Sequence, residues 1–182
     1  MKKFFFLIII FIIGHSIVNA SERDEKLNAL FYELKKSKSE QAYQTEKKIW
    51  KIWSTHPRND DLTYLLSQGS DFVDNFDYNK AVDIFTEVIN LDPTWAEAWN
   101  KRATVLYLMG EFQKSQKDID KVLQLEKRHF GALAGQGLVN IQLENYEKAI
   151  KSYEKAKEIY PSMKSPEIMI EQIKDLIKKE LI

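Results

Sequence analysis

A period of 34 residues, repeated three times without a gap, is the feature that most constrains how this chain can fold. The repeated blocks are Leu62–Trp95, Ala96–His129 and Phe130–Met163, and positions within a block are called places 1 to 34. Two places hold small residues in every block: place 8 has Gly69, Ala103 and Gly137, and place 20 has Ala81, Ser115 and Ala149. Place 17 is always aromatic, with Tyr78, Phe112 and Tyr146. Place 24 is always large and apolar or aromatic, with Phe85, Ile119 and Tyr153. A repeat of this length indicates an array in which each unit packs on its neighbours.

Each block carries two apolar stripes with helical spacing, so we expect each block to fold as a pair of helices. Asp77, Gly110 and Asn145 lie at the predicted tight turns between paired helices. Pro93 and Pro161 are predicted to end the second helix of their blocks, because proline cannot continue a helix. Small residues at places 8 and 20 would let the two helix backbones approach closely.

The pattern resembles the tetratricopeptide repeat (TPR), whose signature places small, aromatic and proline residues at these same positions. The resemblance covers residues 62–163. It departs from the signature at Asn140, Ser115 and Lys127, and at place 7, which usually takes Leu but here holds Gln68, Arg102 and Gln136. The resemblance implies an all-α fold, a right-handed superhelix of tandem antiparallel helix pairs (a TPR α-solenoid). The polar side chains at place 7 would hydrogen-bond a ligand or satisfy the ends of neighbouring helices.

The residues that flank the repeats read as helical caps, which repeat arrays require at their ends. Residues 21–61 contain two apolar stripes, Leu27 to Leu34 and Ala42 to Trp53, and are predicted to form a capping hairpin over the first repeat. Residues 164–182 follow with Met169, Ile170, Ile173, Leu176 and Ile177 on one face, typical of a solvated C-terminal capping helix. The alternative for that helix is contact with a membrane surface.

The first 20 residues read as a secretory signal peptide rather than as part of the fold. Lys2 and Lys3 precede an apolar run from Phe4 to Ile13, and cleavage is predicted after Ala20. The alternative is an uncleaved anchor, but the run is shorter than a membrane span requires. We therefore expect an exported protein, periplasmic or secreted, that is not stably inserted in the membrane after cleavage. The absence of cysteine excludes disulfide bonds.

No residue pattern in the chain indicates chemistry. There is no nucleophile elbow, phosphate-binding loop or zinc motif, and no cysteine. His56 and His129 fall in different segments between helices, so we expect surface loop residues rather than metal ligands. The chain is predicted to be no enzyme, and to use no cofactor and no metal. Its 27 basic and 27 acidic residues argue against a nucleic-acid partner.

The resemblance also implies where a partner would bind, because the first helix of each pair lines the concave face of a TPR array. Places 2, 5, 9 and 12 share one face of that helix. The predicted protein-binding residues on this face are Leu66, Ser70, Val73, Asn100, Thr104, Tyr107, Leu138 and Ile141. They include no base, so an apolar peptide or amphipathic helix fits better than a terminal carboxylate.

These observations together predict a non-enzymatic scaffold or adaptor of the cell envelope that binds a peptide or helix of a partner protein. A second reading remains open. The concave face could be filled by the chain's own terminal helices, in which case the protein would be a structural or assembly subunit that uses its outer face or its caps. Trp50, Trp53, Trp95 and Trp99 are predicted to pack in the core rather than to form a ligand cage.

Overall fold

The computed structural model describes residues 22–180, and within that range the chain consists of helices and turns. Helix α1 covers residues 22–36 of the described range. The following helices are α2 (Ser39–Trp53), α3 (Asp60–Asp74), α4 (Tyr78–Leu91), α5 (Ala96–Leu108), α6 (Phe112–Leu125), α7 (Phe130–Gln142), α8 (Tyr146–Ile159) and α9 (Lys164–Glu180). The predicted signal peptide lies outside the described residues. Across residues 22–180, no helix combines the length and the apolar content needed to cross a bilayer.

The three blocks fold as three helix pairs, α3–α4, α5–α6 and α7–α8, as predicted. Within each pair the side chain at place 24 covers place 8. A Cβ built on Gly69 would lie 2.4 Å from the ring of Phe85, and one on Gly137 would lie 2.5 Å from the ring of Tyr153. In the second pair, place 8 is an alanine, Ala103, and place 24 is the smaller side chain Ile119. The size of one residue therefore sets the size allowed at the other.

The turn inside each pair is made by one residue with a left-handed backbone at place 15. These residues are Phe76, Gly110 and Glu144, with φ values of 59°, 77° and 57°. The next residue of the first turn, Asp77, caps α4 by accepting a hydrogen bond from the backbone N–H of Lys80. The predicted turn positions are therefore confirmed.

Helices α1 and α2 form a hairpin that lies across the turns between repeats, rather than over the first repeat as we predicted. Its apolar cluster includes Phe130 and Tyr160, which belong to the third block. The side chain of Arg128 donates to Asn28 at 2.7 Å, and the Tyr160 hydroxyl donates to Glu46 at 3.1 Å. The hairpin thus touches both ends of the third repeat.

The outer face of α3 explains why the hairpin is not stacked there. Places 3 and 10 of α5 and α7 are small or β-branched apolar residues, and all four are buried against the preceding repeat: Ala98, Val105, Ala132 and Val139. In α3 the same places hold Tyr64, which is 66% exposed, and Asp71, which is also exposed. A carboxylate at place 10 disfavours an apolar neighbour, so the array ends at α3 with a polar face.

Helix α9 continues the repeat register as half of a fourth unit. Pro166 and Ile173 occupy its places 3 and 10, and both are buried. Ile173 packs with Tyr153 of α8 and Ile141 of α7. The predicted apolar stripe therefore covers the last repeat, except for Leu176, which stays 37% exposed.

Candidate protein-binding groove

The first helices of the three pairs bring the predicted binding residues onto one surface, called the groove here and defined by places 2, 5, 9 and 12 of α3, α5 and α7. Leu66 is buried in the core of the first repeat. Val73 and Ile141 are half-buried against core clusters, and Ser70 is half-buried and donates to the backbone of its own helix. These four residues thus offer little surface to a ligand.

Other parts of the chain cover the end of the groove that carries place 2. Thr63 accepts a hydrogen bond from the backbone N–H of His56 at 2.8 Å. Glu97 is buried. Gly131 lies under Trp50, since a Cβ built on it would approach the indole to 2.6 Å. The self-filling alternative therefore holds at this end of the groove. At Gly131 the covering element is the N-terminal hairpin, and at Thr63 it is the segment between α2 and α3.

The middle of the groove remains open between α5 and α7. A shallow depression of about 70 Å³ lies there, bordered by Thr104, Tyr107, Gly135 and Leu138. Thr104 is exposed and Leu138 is 37% exposed, whereas Tyr107 is half-buried against Phe112. Of the eight predicted binding residues, four line this depression: Thr104, Tyr107 and Leu138, together with the buried Asn100.

The polar groups at the covered end of the groove are bonded to one another. Asn100 is buried and donates to Glu97 Oε2 at 3.2 Å. His129 Nε2 lies 3.1 Å from the same oxygen. Asn100, the one amide among the predicted binding residues, is thereby engaged within the protein. The open depression has no charged side chain in its lining, so it suits an uncharged segment.

Both histidines of the described range are buried, which contradicts our expectation of surface loop residues. His56 is 5% exposed and its Nε2 lies 2.8 Å from Asp92 Oδ2. His129 is fully buried, and its Nδ1 accepts the backbone N–H of Ala132 at the start of α7. Sequence reasoning missed them because the contacts that bury them occur once rather than in every repeat: His56 packs on Trp95, and His129 packs on Trp50 and Trp53 of the hairpin. Among residues 22–180, no group of three or more His, Cys, Asp or Glu side chains is arranged to hold a metal ion.

The polar residues at place 7 connect consecutive second helices instead of facing the groove. Arg102 donates two hydrogen bonds to Asp118 of α6, at 2.7 and 2.9 Å, and one to Thr86 of α4 at 3.0 Å. Gln136 repeats the pattern one block later, between Asp120 of α6 and Ser152 of α8. These contacts give Arg102 and Gln136 a structural role, but their partners lie within α4, α6 and α8 rather than at helix ends as predicted.

Comparison with known proteins agrees with this architecture. Residues 96–129 and 130–163 each match a family model described as the tetratricopeptide repeat. The chain is 30% identical over 161 residues to a TPR repeat-containing protein of Rhizobium etli, covering 88% of this chain and 77% of that protein. The chain belongs to the tetratricopeptide repeat family. The two matched ranges coincide with the second and third predicted blocks.

Solved TPR domains share the fold at low sequence identity. The Sgt2 TPR domain from Aspergillus fumigatus matches with a TM-score of 0.64 at 21% identity, over 67% of this chain and 82% of that one. The first TPR of Spaghetti, solved with the HSP90 peptide SRMEEVD, matches with a TM-score of 0.63 at 20% identity, over 64% of this chain and 93% of that one. These similarities confirm the TPR solenoid.

Proposed function

We propose that this TPR protein is an exported, non-enzymatic adaptor of the cell envelope that binds an uncharged, partly apolar segment of a partner protein. The observation that carries the proposal is the depression between α5 and α7, which the hairpin leaves open beside Thr104, Tyr107 and Leu138. TPR neighbours solved with peptides support the mode of binding.

The chemistry of the groove distinguishes the proposed ligand from an acidic peptide tail. The HSP90 peptide bound to the Spaghetti domain ends in Glu-Glu-Val-Asp. A clamp for such a tail needs cationic donors, and places 2, 5, 9 and 12 of α3, α5 and α7 hold no Lys or Arg. We therefore infer that the partner contributes aliphatic or aromatic side chains and backbone groups rather than a terminal carboxylate.

The test is photo-crosslinking of the mature protein in native envelope extract, with the photo-reactive residue at position 138. We expect one specific partner, and we expect its recovery to fall in Thr104→Arg, which places a bulky charge at the rim of the depression. The matched control is Leu91→Glu, because Leu91 is 62% exposed at the end of α4 and lies outside the groove. A partner recovered equally from the Thr104→Arg and control variants would overturn the assignment.

A second candidate function is favoured by the hairpin, which already covers one end of the groove. On this reading the protein is an assembly subunit held in an envelope complex through its outer face or its caps. Crosslinks from position 138 that stay within the chain, together with partner crosslinks from position 168, would favour this reading. Position 168 is informative because Ile168 is 55% exposed on α9.

A further inference from the structure

The hairpin and the first repeat carry opposite charge. Residues 22–59 hold nine basic and six acidic residues, whereas residues 60–95 hold eight acidic residues and one basic residue, Lys80. The whole chain is neutral, with 27 residues of each sign. Such an uneven distribution creates local potentials that guide association even when net charge is zero.

The basic side has the shape of a groove along the outside of the hairpin. It has a volume of about 790 Å³ and lies between α1 and α2, with Leu30 and Ile52 among its apolar lining residues. Its rim carries three lysines, Lys26, Lys48 and Lys51, and one carboxylate, Glu22. The lysines are all exposed, and none is in an ion pair with a described residue.

Arg23 fixes the two walls of this hairpin groove. Its guanidinium on α1 donates to the backbone oxygens of Ile52, at 2.6 Å, and Thr55, at 3.1 Å, at the end of α2. These bonds join the start of α1 to the end of α2, so the groove is a preformed feature of the fold. A preformed surface loses less conformational entropy when it binds.

The acidic side is the open face of α3, where the array ends. Tyr64 is 66% exposed there, and the exposed carboxylates Asp60, Asp61 and Asp71 share its side of the helix. No described residue forms an ion pair with any of these three. The face therefore offers one aromatic side chain surrounded by negative charge.

We propose that the open face of α3 in one molecule docks in the hairpin groove of a second copy of this chain. Tyr64 would contact Leu30 and Ile52 on the apolar lining, and the carboxylates of α3 would meet the lysine rim. Tyr64, the three carboxylates of α3 and the three lysines of the rim are exposed in the single chain, so these groups can meet between chains. The two surfaces differ, so the contact is head-to-tail. The pair keeps one free surface of each kind, one on each molecule, which allows further copies to add.

Sedimentation velocity of the mature chain tests the proposal. At about 10 mM salt, where the Debye length is about 30 Å, we expect the average mass to rise with protein concentration. At about 1 M salt, where that length is about 3 Å, we expect the monomer mass. A monomer at every concentration in low salt, or association that ignores salt, would overturn the proposal.

A charge exchange identifies the surfaces. The variant Lys48→Glu/Lys51→Glu and the variant Asp60→Lys/Asp71→Lys should each lose self-association. In each variant the hairpin groove and the face of α3 now carry charge of the same sign, so two copies repel at the proposed contact. An equimolar mixture of the two should associate again. The control Lys117→Glu/Lys155→Glu changes two exposed lysines on α6 and α8 and should associate like the unchanged protein. Circular dichroism verifies that each variant is folded, and a mixture of folded variants that stays monomeric would refute the pairing of these surfaces.

Discussion

The imidazole of His129 stacks on the indole of Trp53, with ring centroids 4.0 Å apart and planes 7° from parallel. This contact joins the turn before the third repeat to the hairpin. The Nδ1 atom of His129 accepts the N–H of Ala132, so the ring hydrogen lies on Nε2 and is donated to Glu97. A single side chain thus caps α7, bonds a buried carboxylate and supports the hairpin.

We predict that His129→Ala lowers the free energy of unfolding by about 3–5 kcal/mol, because it removes a buried partner of Glu97. Urea denaturation followed by circular dichroism measures the change. The control is Lys127→Ala, an exposed side chain two residues away in the same turn, which should change stability by less than about 0.5 kcal/mol. A loss below about 1 kcal/mol for His129→Ala would contradict the role assigned to the ring.

We predict that the stability of the protein depends on an arginine at position 102. Arg102→Ala leaves Asp118, 7% exposed, without its ion-pair partner and should cost about 3–5 kcal/mol. Arg102→Lys should also be destabilising, because lysine cannot form the paired bonds to the carboxylate. The double variant Arg102→Met/Asp118→Leu should approach wild-type stability, since it removes both charges. Equal losses in the single and double variants would contradict the ion-pair explanation.

Two glycines of α7 are predicted to respond oppositely to alanine. Gly135→Ala should stabilise by about 0.5–1 kcal/mol, because its new Cβ meets only Ile119, at 3.7 Å, and glycine is unfavourable within a helix. Gly137→Ala should destabilise by about 1–3 kcal/mol, because its Cβ overlaps the Tyr153 ring.

The size relation between places 8 and 24 supplies the control for this pair of variants. Gly137→Ala/Tyr153→Ile recreates the combination of Ala103 and Ile119 found in the second repeat, and it should recover part of the loss. Thermal melting of the three proteins measures all of these effects. Shifts of the same sign for the two single variants would contradict the packing argument.

Stability is predicted to fall in acid because of two carboxylates at the ends of second helices. Burial alone would raise the pKa of Asp92, but hydrogen bonds from Thr94 and His56 outweigh it and lower that pKa. Burial likewise opposes a lowered pKa at Glu126, where hydrogen bonds from Arg128 prevail. A lowered folded-state pKa stabilises above the unfolded-state value of about 4, and this stabilisation is lost as pH falls through the folded-state pKa.

The measurement is the free energy of unfolding between pH 7 and pH 2. Asp92→Asn/Glu126→Gln should be less stable than wild type at pH 7, and its stability should change less across the acid range. An acid profile with the wild-type slope in this variant would show that other groups cause the loss.

The predicted signal peptide leads to a prediction about the exported protein. Cleavage after Ala20 would leave Ser21 as the first residue. Intact mass spectrometry of the protein from a periplasmic fraction should therefore give a mass lower than the 21.4 kDa of the full chain by the mass of residues 1–20. The full mass, recovered from the membrane fraction, would favour the uncleaved anchor.

The periodic part of the fold could be predicted because local spacing determines it. The 34-residue register predicted the helix pairs, the turns near Asp77, Gly110 and Asn145, and the small residues at place 8, whereas their position beneath the side chain at place 24 is seen only in the structure. The apolar stripe of residues 164–182 predicted the covering helix α9, and in the structure its Ile173 repeats the buried apolar position of Val105 and Val139. Each of these features depends on contacts between neighbouring units.

The hairpin docking could not be predicted in the same way, because its contacts occur once rather than in every repeat. One signal was present in the sequence. Place 31 holds Asp92 and Glu126 in the first two blocks but Tyr160 in the third, and the hairpin covers that tyrosine. The open part of the groove is also narrower than the predicted stripe of binding residues. Leu66 is buried in the core, and Asn100 is bonded to Glu97 at the covered end of the groove.

The hairpin also changes how this repeat array should unfold. A solenoid with contacts only between neighbours can fray from its ends, one unit at a time. Here hydrogen bonds join residues 100, 114 and 125 positions apart in the chain: Asn28 with Arg128, Glu46 with Tyr160, and Ser37 with Ser162. The third repeat therefore cannot open without releasing the N-terminal helices. The array gains the all-or-none cooperativity of a globular domain, together with the slower folding that a high contact order brings.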